Sequence, residues 1–479
     1  MASKLYDLWV YGKFYKGKGK TYKIVSPHTQ QVYAEIQGLN SEEMKKVVEE
    51  ALKAKHNMRE LTIADRIKFL NNFKNALSSY RKEIIDALMH ESGKSIHYAE
   101  GEFDATLKRF EFIEREVELL HPETLDGNAG YGTSGKYAVV VKEPAGIVLA
   151  IAPFNYPLLT LMNKVIPALL GGNAVIAKPS TQTSLSSYWI GKAFEESGFP
   201  KAGLQIVVGE NQDVENILVE SPHIQMISFT GSTYVGKEII AKKAGMKKLH
   251  LELGGKGTAL VLDDKNVEHY AKEIASGAFK FSGQRCDALS RVIIPKQYWE
   301  KLKNELLKEV KNWKSDGFDD PNTKIVPLIN KKAYSKVEEL MNDALEKGAK
   351  IIYEGMRDPS KNLFEPVILE NVTENMRIFW EEVFGPVLSV VFAEDEEEAI
   401  SLAKKNNYGL DMSIFSQDIA KAVSIAQQMG EGAVTINAHP SHAIGYFPFG
   451  GNKDSGMGRE GVKYSLMEMI NLKSIVIKR

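Results

Sequence analysis

The chain has 479 residues, a formal net charge of −1, 43% hydrophobic and 26% charged residues, and one cysteine. Near-neutral charge gives no overall field that would favour nucleic acid or a membrane surface, so we expect neither partner. One cysteine excludes an internal disulfide and is too few for structural zinc, so we expect no metal. The length suggests two or three domains. No signal-peptide core and no membrane-length apolar run are seen, so we expect a cytoplasmic protein.

The amino-terminal part of the chain is predicted to form short strands up to about residue 27. Amphipathic helices are predicted next, over residues 41–55 and 63–81. We expect Ser41 to cap the first helix, and Glu43 to be the acid that favours its first turn.

From residue 137 the pattern changes to short apolar, β-branched runs that alternate with helical segments. Such runs are typical of strands covered on both faces, and the alternation predicts parallel, doubly wound sheets. We therefore predict two α/β domains that meet near residues 254–258, and a late strand over residues 473–479. The predicted strands of the two domains cover residues 138–141, 146–151, 174–177, 205–208, 226–229, 249–253 and 258–262, then 291–294, 350–353, 386–392, 412–415 and 433–436.

Cys286, the only cysteine, follows Gly283, Gln284 and Arg285. A lone cysteine is often a small buried hydrophobe. A neighbouring cation, however, lowers the pKa of a thiol and favours the nucleophilic thiolate, which points to covalent catalysis. A thiol hydrolase would also need a histidine base, and none of the ten histidines lies near Cys286 in sequence.

Residues 226–237 predict a strand that enters a glycine turn and then a helix, an arrangement suited to a phosphate or pyrophosphate. The segment from Gly231 to Lys237 nearly matches the triphosphate-binding loop. The next residue is Glu238, however, where that loop has a magnesium-binding Ser or Thr. This carboxylate would repel phosphate and disfavours a triphosphatase.

Two polar residues stand where a catalytic group could act. Glu252 ends an apolar run before two glycines, where burial would raise its pKa towards that of a general base; a structural salt bridge is the alternative. Asn155 lies between Pro153 and Pro157 and could present its amide to an oxyanion, or could simply satisfy a turn.

Taken together, these segments resemble the aldehyde dehydrogenase superfamily over nearly the whole chain. Each match is weak alone, but all occur in the family's order. The matching segments are PFNYP at 153–157, GN at 172–173, KPS at 178–180, FTGS at 229–232 with Gly236, ELGGK at 252–256, GQRC at 283–286, EVFGP at 382–386 and FPFGG at 447–451.

The resemblance implies a nucleophile at Cys286, an oxyanion held by the Asn155 amide and the Cys286 N–H, and a water-activating base at Glu252. It also implies that the glycine turn is the family's dinucleotide turn. Thr181 stands where NAD-preferring members often carry a glutamate, so NADP is the expected cofactor and NAD the alternative. The implied cofactor residues are Lys178, Ser180, Thr181, Gly231, Ser232, Gly236, Leu253, Glu382 and Phe384.

Within the superfamily the chain is most similar to the non-phosphorylating glyceraldehyde-3-phosphate dehydrogenases. The similarity implies that Tyr156 and Arg285 bind the substrate phosphate. His442 stands in place of one further arginine, and an earlier one aligns with Lys108 or Arg109, of which we take Lys108. The alternatives are another short polar aldehyde, such as glyceraldehyde, lactaldehyde or succinic semialdehyde, and a non-catalytic protein on the same fold.

The resemblance also implies the division of the chain. A Rossmann-like dinucleotide-binding domain would comprise residues 1–122 and 145–254, and a catalytic domain residues 255–455. Residues 123–144 and 456–479 would form a strand arm that joins subunits, as in the dimers and tetramers of this family.

Overall fold

The computed structural model describes residues 4–441 and 445–478. Short strands open the chain, and four helices follow. The strands are Lys4–Tyr6, Leu8–Val10, Lys13–Tyr15, Thr21–Val25 and Val32–Gln37; the helices are Ser41–Glu60, Ile63–Ser79, Arg81–Ser92 and Ile96–Arg109.

The first helix is capped by Asn40, so the prediction of Ser41 was wrong by one residue. Asn40 Oδ1 accepts a hydrogen bond from the Glu43 N–H at 2.9 Å, and Glu43 Oε2 accepts one from the Asn40 N–H at 2.9 Å. This reciprocal pair satisfies two donors at once, which favours Asn40 over its neighbour. The Ser41 hydroxyl instead donates to Asp213 Oδ1 at 2.7 Å.

The first large sheet has six strands, of which five are parallel. The sixth, at one edge, is antiparallel. Its central strand Ile147–Ile151 is buried along its whole length, because helices cover both faces. The sheet order is Leu204–Ile206, Ala174–Lys178, Ile147–Ile151, Met226–Thr230, Lys248–Glu252 and Gly456–Met457; the helices Pro157–Leu170 and Ser186–Glu195 lie between its strands in sequence.

The second large sheet has seven strands, parallel except at one edge. Its order is Lys350–Glu354, Val367–Glu370, Val387–Ala393, Leu289–Pro295, Gly257–Val261, Asp411–Phe415 and Ala433–Ile436. The helices of this part are Val267–Phe279, Lys296–Glu309, Lys331–Glu346, Arg377–Trp380, Glu396–Lys404 and Ile419–Ala426. The two predicted doubly wound sheets are therefore confirmed, while the residue limits of the domains stay a prediction.

A third, antiparallel sheet forms the predicted arm from Glu123–Asp126, Lys136–Pro144 and Ile470–Lys478. The carboxyl-terminal segment forms an additional strand and a helix besides the predicted late strand. Gly456–Met457 joins the first large sheet, and the helix Val462–Glu468 packs against Pro157–Leu170. No helix among the described residues is long and apolar enough to cross a membrane.

Candidate active site

Cys286 follows a short turn with an uncommon backbone conformation. Phe281 and Ser282 have φ of 53° and 54°, in the left-handed region that side chains disfavour, and Gly283 follows at 68°. Ser282 is fully buried, and its hydroxyl donates to the Val326 carbonyl at 2.7 Å and accepts from the Val326 N–H at 2.8 Å. These bonds from a neighbouring segment hold the disfavoured turn in place.

Gln284 links the turn before Cys286 to the segment that follows Val326. Its side-chain oxygen accepts from the Ile329 N–H at 2.9 Å, and its amide donates to the Pro327 carbonyl at 3.3 Å. The backbone that carries Cys286 is therefore anchored by two buried side chains, which lie two and four residues before it.

Cys286 lies between two cavities and lines both of them. The first cavity has a volume of about 480 Å³ and the second about 330 Å³. The thiol is deep in the protein yet partly exposed, because these cavities reach it. A reactive sulfur in this position can meet two different ligands, one from each side.

The surroundings of Cys286 raise the pKa of its thiol, contrary to the effect expected from Arg285. Burial is the largest cause, and the carboxylate of Asp287 adds to it. The Arg285 guanidinium lies 3.4 Å from Asp287 Oδ1 and donates to the Gly277 carbonyl at 2.7 Å. The adjacent carboxylate offsets the cation, so sequence proximity to arginine is not enough to acidify the thiol.

Asn155 is brought to the thiol, as predicted. It is buried, lines both cavities, and donates from Nδ2 to the Gln284 carbonyl at 2.9 Å. No described residue accepts a hydrogen bond from the Cys286 N–H. An amide side chain and a backbone donor are thus both available beside the sulfur, the pair needed to stabilise an oxyanion.

A buried ion pair that the sequence analysis missed supports Asn155 from below. Lys94 Nζ lies 3.1 Å from Glu102 Oε2 and donates to the Asn155 carbonyl. The other oxygen of Glu102 accepts from the N–H groups of Leu158 and Leu159 at 3.0 Å, at the start of the helix Pro157–Leu170. Because Glu102 accepts two N–H groups of the first turn and its charge is paired with Lys94, this buried pair holds the start of the helix in place.

Glu252 ends the strand Lys248–Glu252 and is 1% exposed. It lines neither cavity. Its Oε1 lies 2.9 Å from His250 Nε2, and burial raises its pKa well above the usual value. The predicted base therefore has the raised pKa that burial implies, but its carboxylate lies outside both cavities that reach the thiol.

The first cavity extends from the end of the strand Ala174–Lys178 to Cys286. Burial lowers the pKa of Lys178, at one end, to about 8. At the other end Glu382 Oε1 accepts from the Gly255 N–H at 3.0 Å, and burial raises the pKa of Glu382 to about 7. Of the predicted cofactor residues, those that line it are Lys178, Ser180, Thr181, Gly231, Ser232, Leu253, Glu382 and Phe384.

Gly236 does not line the first cavity, but it packs against Leu253, which does. A Cβ atom at this position would collide with the Leu253 side chain, so glycine permits the close packing there. Sequence analysis missed Asn211 and Glu215, which do line the cavity and lie in a segment without a recognisable motif. Glu215 forms an ion pair with Lys243.

The second cavity contains Tyr156 and Arg285, as predicted, but not Lys108. Lys108 is exposed, whereas the next residue, Arg109, is buried and lines the cavity. Successive residues of a helix point about 100° apart, so a one-residue error in alignment exchanges an exposed side for a buried one. His442 lies outside the described residues. Lys280 is a further cation in the wall that sequence analysis missed.

The fold and site define a two-domain α/β protein with a single thiol between two cavities. The model of the aldehyde dehydrogenase family matches residues 14–475, nearly the whole chain. The chain therefore belongs to the aldehyde dehydrogenase family, and the predicted relationship is confirmed.

Individual relatives cover the chain from end to end. The NADP-dependent glyceraldehyde-3-phosphate dehydrogenase of Streptococcus equinus is 38% identical over 475 residues, 99% of each chain. The 3-sulfolactaldehyde dehydrogenase of Priestia aryabhattai is 32% identical, over 99% of this chain and 98% of that protein. The crystal structure of NADP-dependent glyceraldehyde-3-phosphate dehydrogenase from Bacillus halodurans, complexed with NADP, has a TM-score of 0.95, 36% identity and full coverage of both chains.

Proposed function

We propose that this protein oxidises glyceraldehyde 3-phosphate to 3-phosphoglycerate with NADP. The observation that carries the proposal is the position of Cys286, which lines both a cavity bounded by the predicted cofactor residues and a second cavity bounded by cations. The similarity to relatives with this activity, over the full length of the chain, supports it.

In the proposed reaction the Cys286 thiolate attacks the aldehyde carbon, and the carbonyl electrons move to oxygen. The Asn155 amide and the Cys286 N–H stabilise this oxyanion. A bound NADP would supply the hydride acceptor, and loss of the hydride from the carbon would convert the adduct on Cys286 to a thioester. Glu252 takes a proton from water, the hydroxide attacks the thioester, and the carbon–sulfur bond breaks to release the acid. Because Glu252 lines neither cavity, it must turn towards Cys286 for this last step.

The residues of the first cavity fit a dinucleotide phosphate. Lys178 is buried there and forms no ion pair with a described residue, so its ammonium is available to an anion. Thr181 lies beside it without a carboxylate that would repel a 2′-phosphate. Glu215 is the one nearby acid in the wall, and its pairing with Lys243 offsets its charge. We therefore propose NADP as the preferred cofactor, with NAD as a weaker alternative.

The second cavity supports an anionic substrate. Arg109, Lys280 and Arg285 line it together with the hydroxyl-bearing Tyr156. Guanidinium groups bind phosphate with two parallel hydrogen bonds, which suits the distal group of glyceraldehyde 3-phosphate. Asp287 lines the same cavity and neutralises part of this charge.

We further propose that the arm sheet joins subunits into a dimer or tetramer, and that the protein acts in the cytoplasm. The exposed apolar side chains of Ile470–Lys478 support the first proposal. The single free cysteine, compatible with a reducing compartment, supports the second.

The test is the rate of NADPH formation with a panel of aldehydes at equal concentration. We expect kcat/KM for glyceraldehyde 3-phosphate to exceed that for the uncharged glyceraldehyde and lactaldehyde by at least about tenfold, the size of one lost charged contact, and also to exceed that for succinic semialdehyde, whose carboxylate is smaller and less charged than a phosphate. 3-Sulfolactaldehyde is the matched anionic competitor. A higher kcat/KM for it, or for an uncharged aldehyde, would replace the proposed substrate. Repeating the series with NAD tests the cofactor, and Cys286→Ala should abolish turnover with every substrate.

A further inference from the structure

His250 and Glu252 form a buried contact that the proposed reaction does not explain. Both lie on the strand Lys248–Glu252, two residues apart and therefore on the same face of the sheet. His250 Nε2 lies 2.9 Å from Glu252 Oε1, and both side chains are essentially inaccessible to solvent. A histidine is thus the direct partner of the proposed base.

Ser228 contacts the other ring nitrogen of His250. Its hydroxyl lies 3.3 Å from His250 Nδ1, on the neighbouring parallel strand. Glu468 Oε2 is 3.7 Å from the same nitrogen, beyond hydrogen-bond distance. When the Ser228 hydroxyl donates to an unprotonated Nδ1, the proton of the neutral ring is on Nε2 and faces Glu252.

His250 is neutral at physiological pH, so it acts through this N–H and not through a charge. Burial is the main cause that lowers its pKa to about 4, and Lys164 adds to the effect. A neutral N–H donor stabilises a carboxylate and opposes its protonation.

The other charges around Glu252 do not supply such a donor. Lys164, from the helix Pro157–Leu170, is held in an ion pair by Glu460. Glu468, from the helix Val462–Glu468, accepts the Arg459 N–H at 2.9 Å and is itself acidic. Glu252 Oε2 has no hydrogen-bond partner among the described residues. The titratable groups that act on Glu252 include His250, Lys164, Arg459, Glu460 and Glu468, and Glu252 in turn acts on the Cys286 thiol.

We propose that His250 is a positioning residue: its Nε2–H donates to the Glu252 carboxylate and opposes the protonation that burial favours, which holds the group behind the cavity wall until it turns towards Cys286 after the thioester has formed. Gly450 makes room for this withdrawn position, because a Cβ atom there would lie 2.7 Å from Glu252 Oε1. The inference rests on the proposed role of Glu252 as the base that activates water.

The test separates the two chemical steps in the full-length enzyme. Single-turnover NADPH absorbance reports hydride transfer, and acid quenching followed by mass spectrometry of the Cys286 peptide reports thioester hydrolysis. In His250→Leu the loss of the donor raises the pKa of Glu252. As the pH falls, the carboxylate is therefore protonated at a higher pH than in the wild type. We expect the acid limb of thioester hydrolysis to move up by about one pH unit, with about tenfold slower hydrolysis below it and unchanged hydride transfer.

Two variants make the result specific. His250→Gln keeps an N–H donor and should restore the acid limb to within a few tenths of a pH unit. His269→Leu is the matched control, because His269 also makes one hydrogen bond, to the Asn437 carbonyl at 2.7 Å, with no contact to Glu252. It should leave both steps unchanged.

The inference is overturned if the acid limb of His250→Leu stays where it is in the wild type, or if both steps slow equally at every pH. Glu252→Gln distinguishes this failure from failure of the proposed reaction. If Glu252→Gln hydrolyses the thioester at the wild-type rate, Glu252 is not the base. If Glu252→Gln is blocked while His250→Leu is normal, only the role of His250 is wrong.

Discussion

The acidity of a thiol depends on every charge that faces it, as Cys286 illustrates. The adjacent Arg285 would by itself favour the thiolate. Its guanidinium is paired with Asp287, however, and burial disfavours any unpaired anion at the sulfur. Since the pKa of the thiol is raised, the thiolate is a minor form at neutral pH in this state of the protein, and its fraction grows as pH rises.

Asp287→Asn should therefore make Cys286 more reactive. Removing the carboxylate removes one cause of the raised pKa and frees Arg285 to act on the sulfur. At pH 8, below the thiol pKa, we expect labelling by iodoacetamide to accelerate several-fold, up to about tenfold for a shift of one pKa unit. Asp319→Asn, an exposed carboxylate outside the cavities, is the control. Equal labelling rates in the two variants would show that Asp287 does not govern the thiol.

Arg109→Ala and Lys108→Ala test which of two neighbouring cations faces the substrate. Arg109 lines the second cavity and Lys108 is exposed. We expect Arg109→Ala to raise KM for glyceraldehyde 3-phosphate about tenfold, through loss of a charged contact, and Lys108→Ala to leave it within about twofold. The kcat/KM for unphosphorylated glyceraldehyde reports any general damage to the site. A large effect of Lys108→Ala alone would restore the assignment made from sequence.

At the scale of elements, the helix Ser41–Glu60 shows how a boundary is chosen among similar residues. Asn40 and Ser41 are both good caps, and Glu43 lies three residues after the first of them. The spacing of a capping box therefore selects Asn40, since its side chain reaches the third helical N–H while Glu43 returns to the Asn40 N–H.

Asn40→Ala should destabilise the start of this helix more than Ser41→Ala does. Loss of the cap costs about 1 kcal/mol, whereas Ser41→Ala removes only the bond to Asp213. Amide hydrogen exchange of residues 41–45, followed by mass spectrometry, measures the local effect directly. We expect about fivefold faster exchange in Asn40→Ala, the factor that corresponds to 1 kcal/mol. The opposite order of the two variants would mean that Ser41 is the effective cap.

The conformation of the turn over residues 280–283 cannot be predicted from its own residues. Phe281 and Ser282 are ordinary residues in a left-handed conformation, which costs about 1–3 kcal/mol per residue when nothing compensates. The compensation comes from residues 326–329, more than 40 positions away in sequence. Local propensity cannot predict a conformation that a distant segment stabilises.

For the whole molecule, the arm carries a group of exposed apolar side chains. Leu472 and Val476 are 67% and 62% exposed and lie on the same face of the strand Ile470–Lys478. The strand pairs along its full length with Lys136–Pro144 and leaves its other edge open. An open, apolar edge strand is a ready site for pairing with another chain.

Val476→Asp should weaken self-association by placing a charge on this surface. A charge buried without a partner at an interface is strongly unfavourable, so we expect a lower mass by light scattering after size exclusion, at protein concentrations where the wild type is oligomeric. Met246→Asp is the matched control, because Met246 is fully exposed and distant in sequence from the arm. A change of mass in both variants, or in neither, would exclude the arm as the contact.

The sequence by itself determined the α/β class, the run of buried strands, the family and the position of Cys286 and Asn155 at the site. These follow from local patterns: continuous apolar runs, which are typical of strands buried on both faces, helices between them, and short motifs in a set order. Eight of the nine predicted cofactor residues line the first cavity. Six of them lie at or just after the carboxyl ends of parallel strands of the first large sheet, which meet at one edge; Glu382 and Phe384 come from the second part of the chain.

Only the tertiary structure decided which of two adjacent cations, Lys108 or Arg109, faces the second cavity, because that depends on which side of a helix is covered. It also decided that Glu252 is withdrawn onto His250 and that Asp287 offsets Arg285. Side-chain direction and electrostatic environment are set by groups that come together from distant parts of the chain, and a linear pattern carries little information about them.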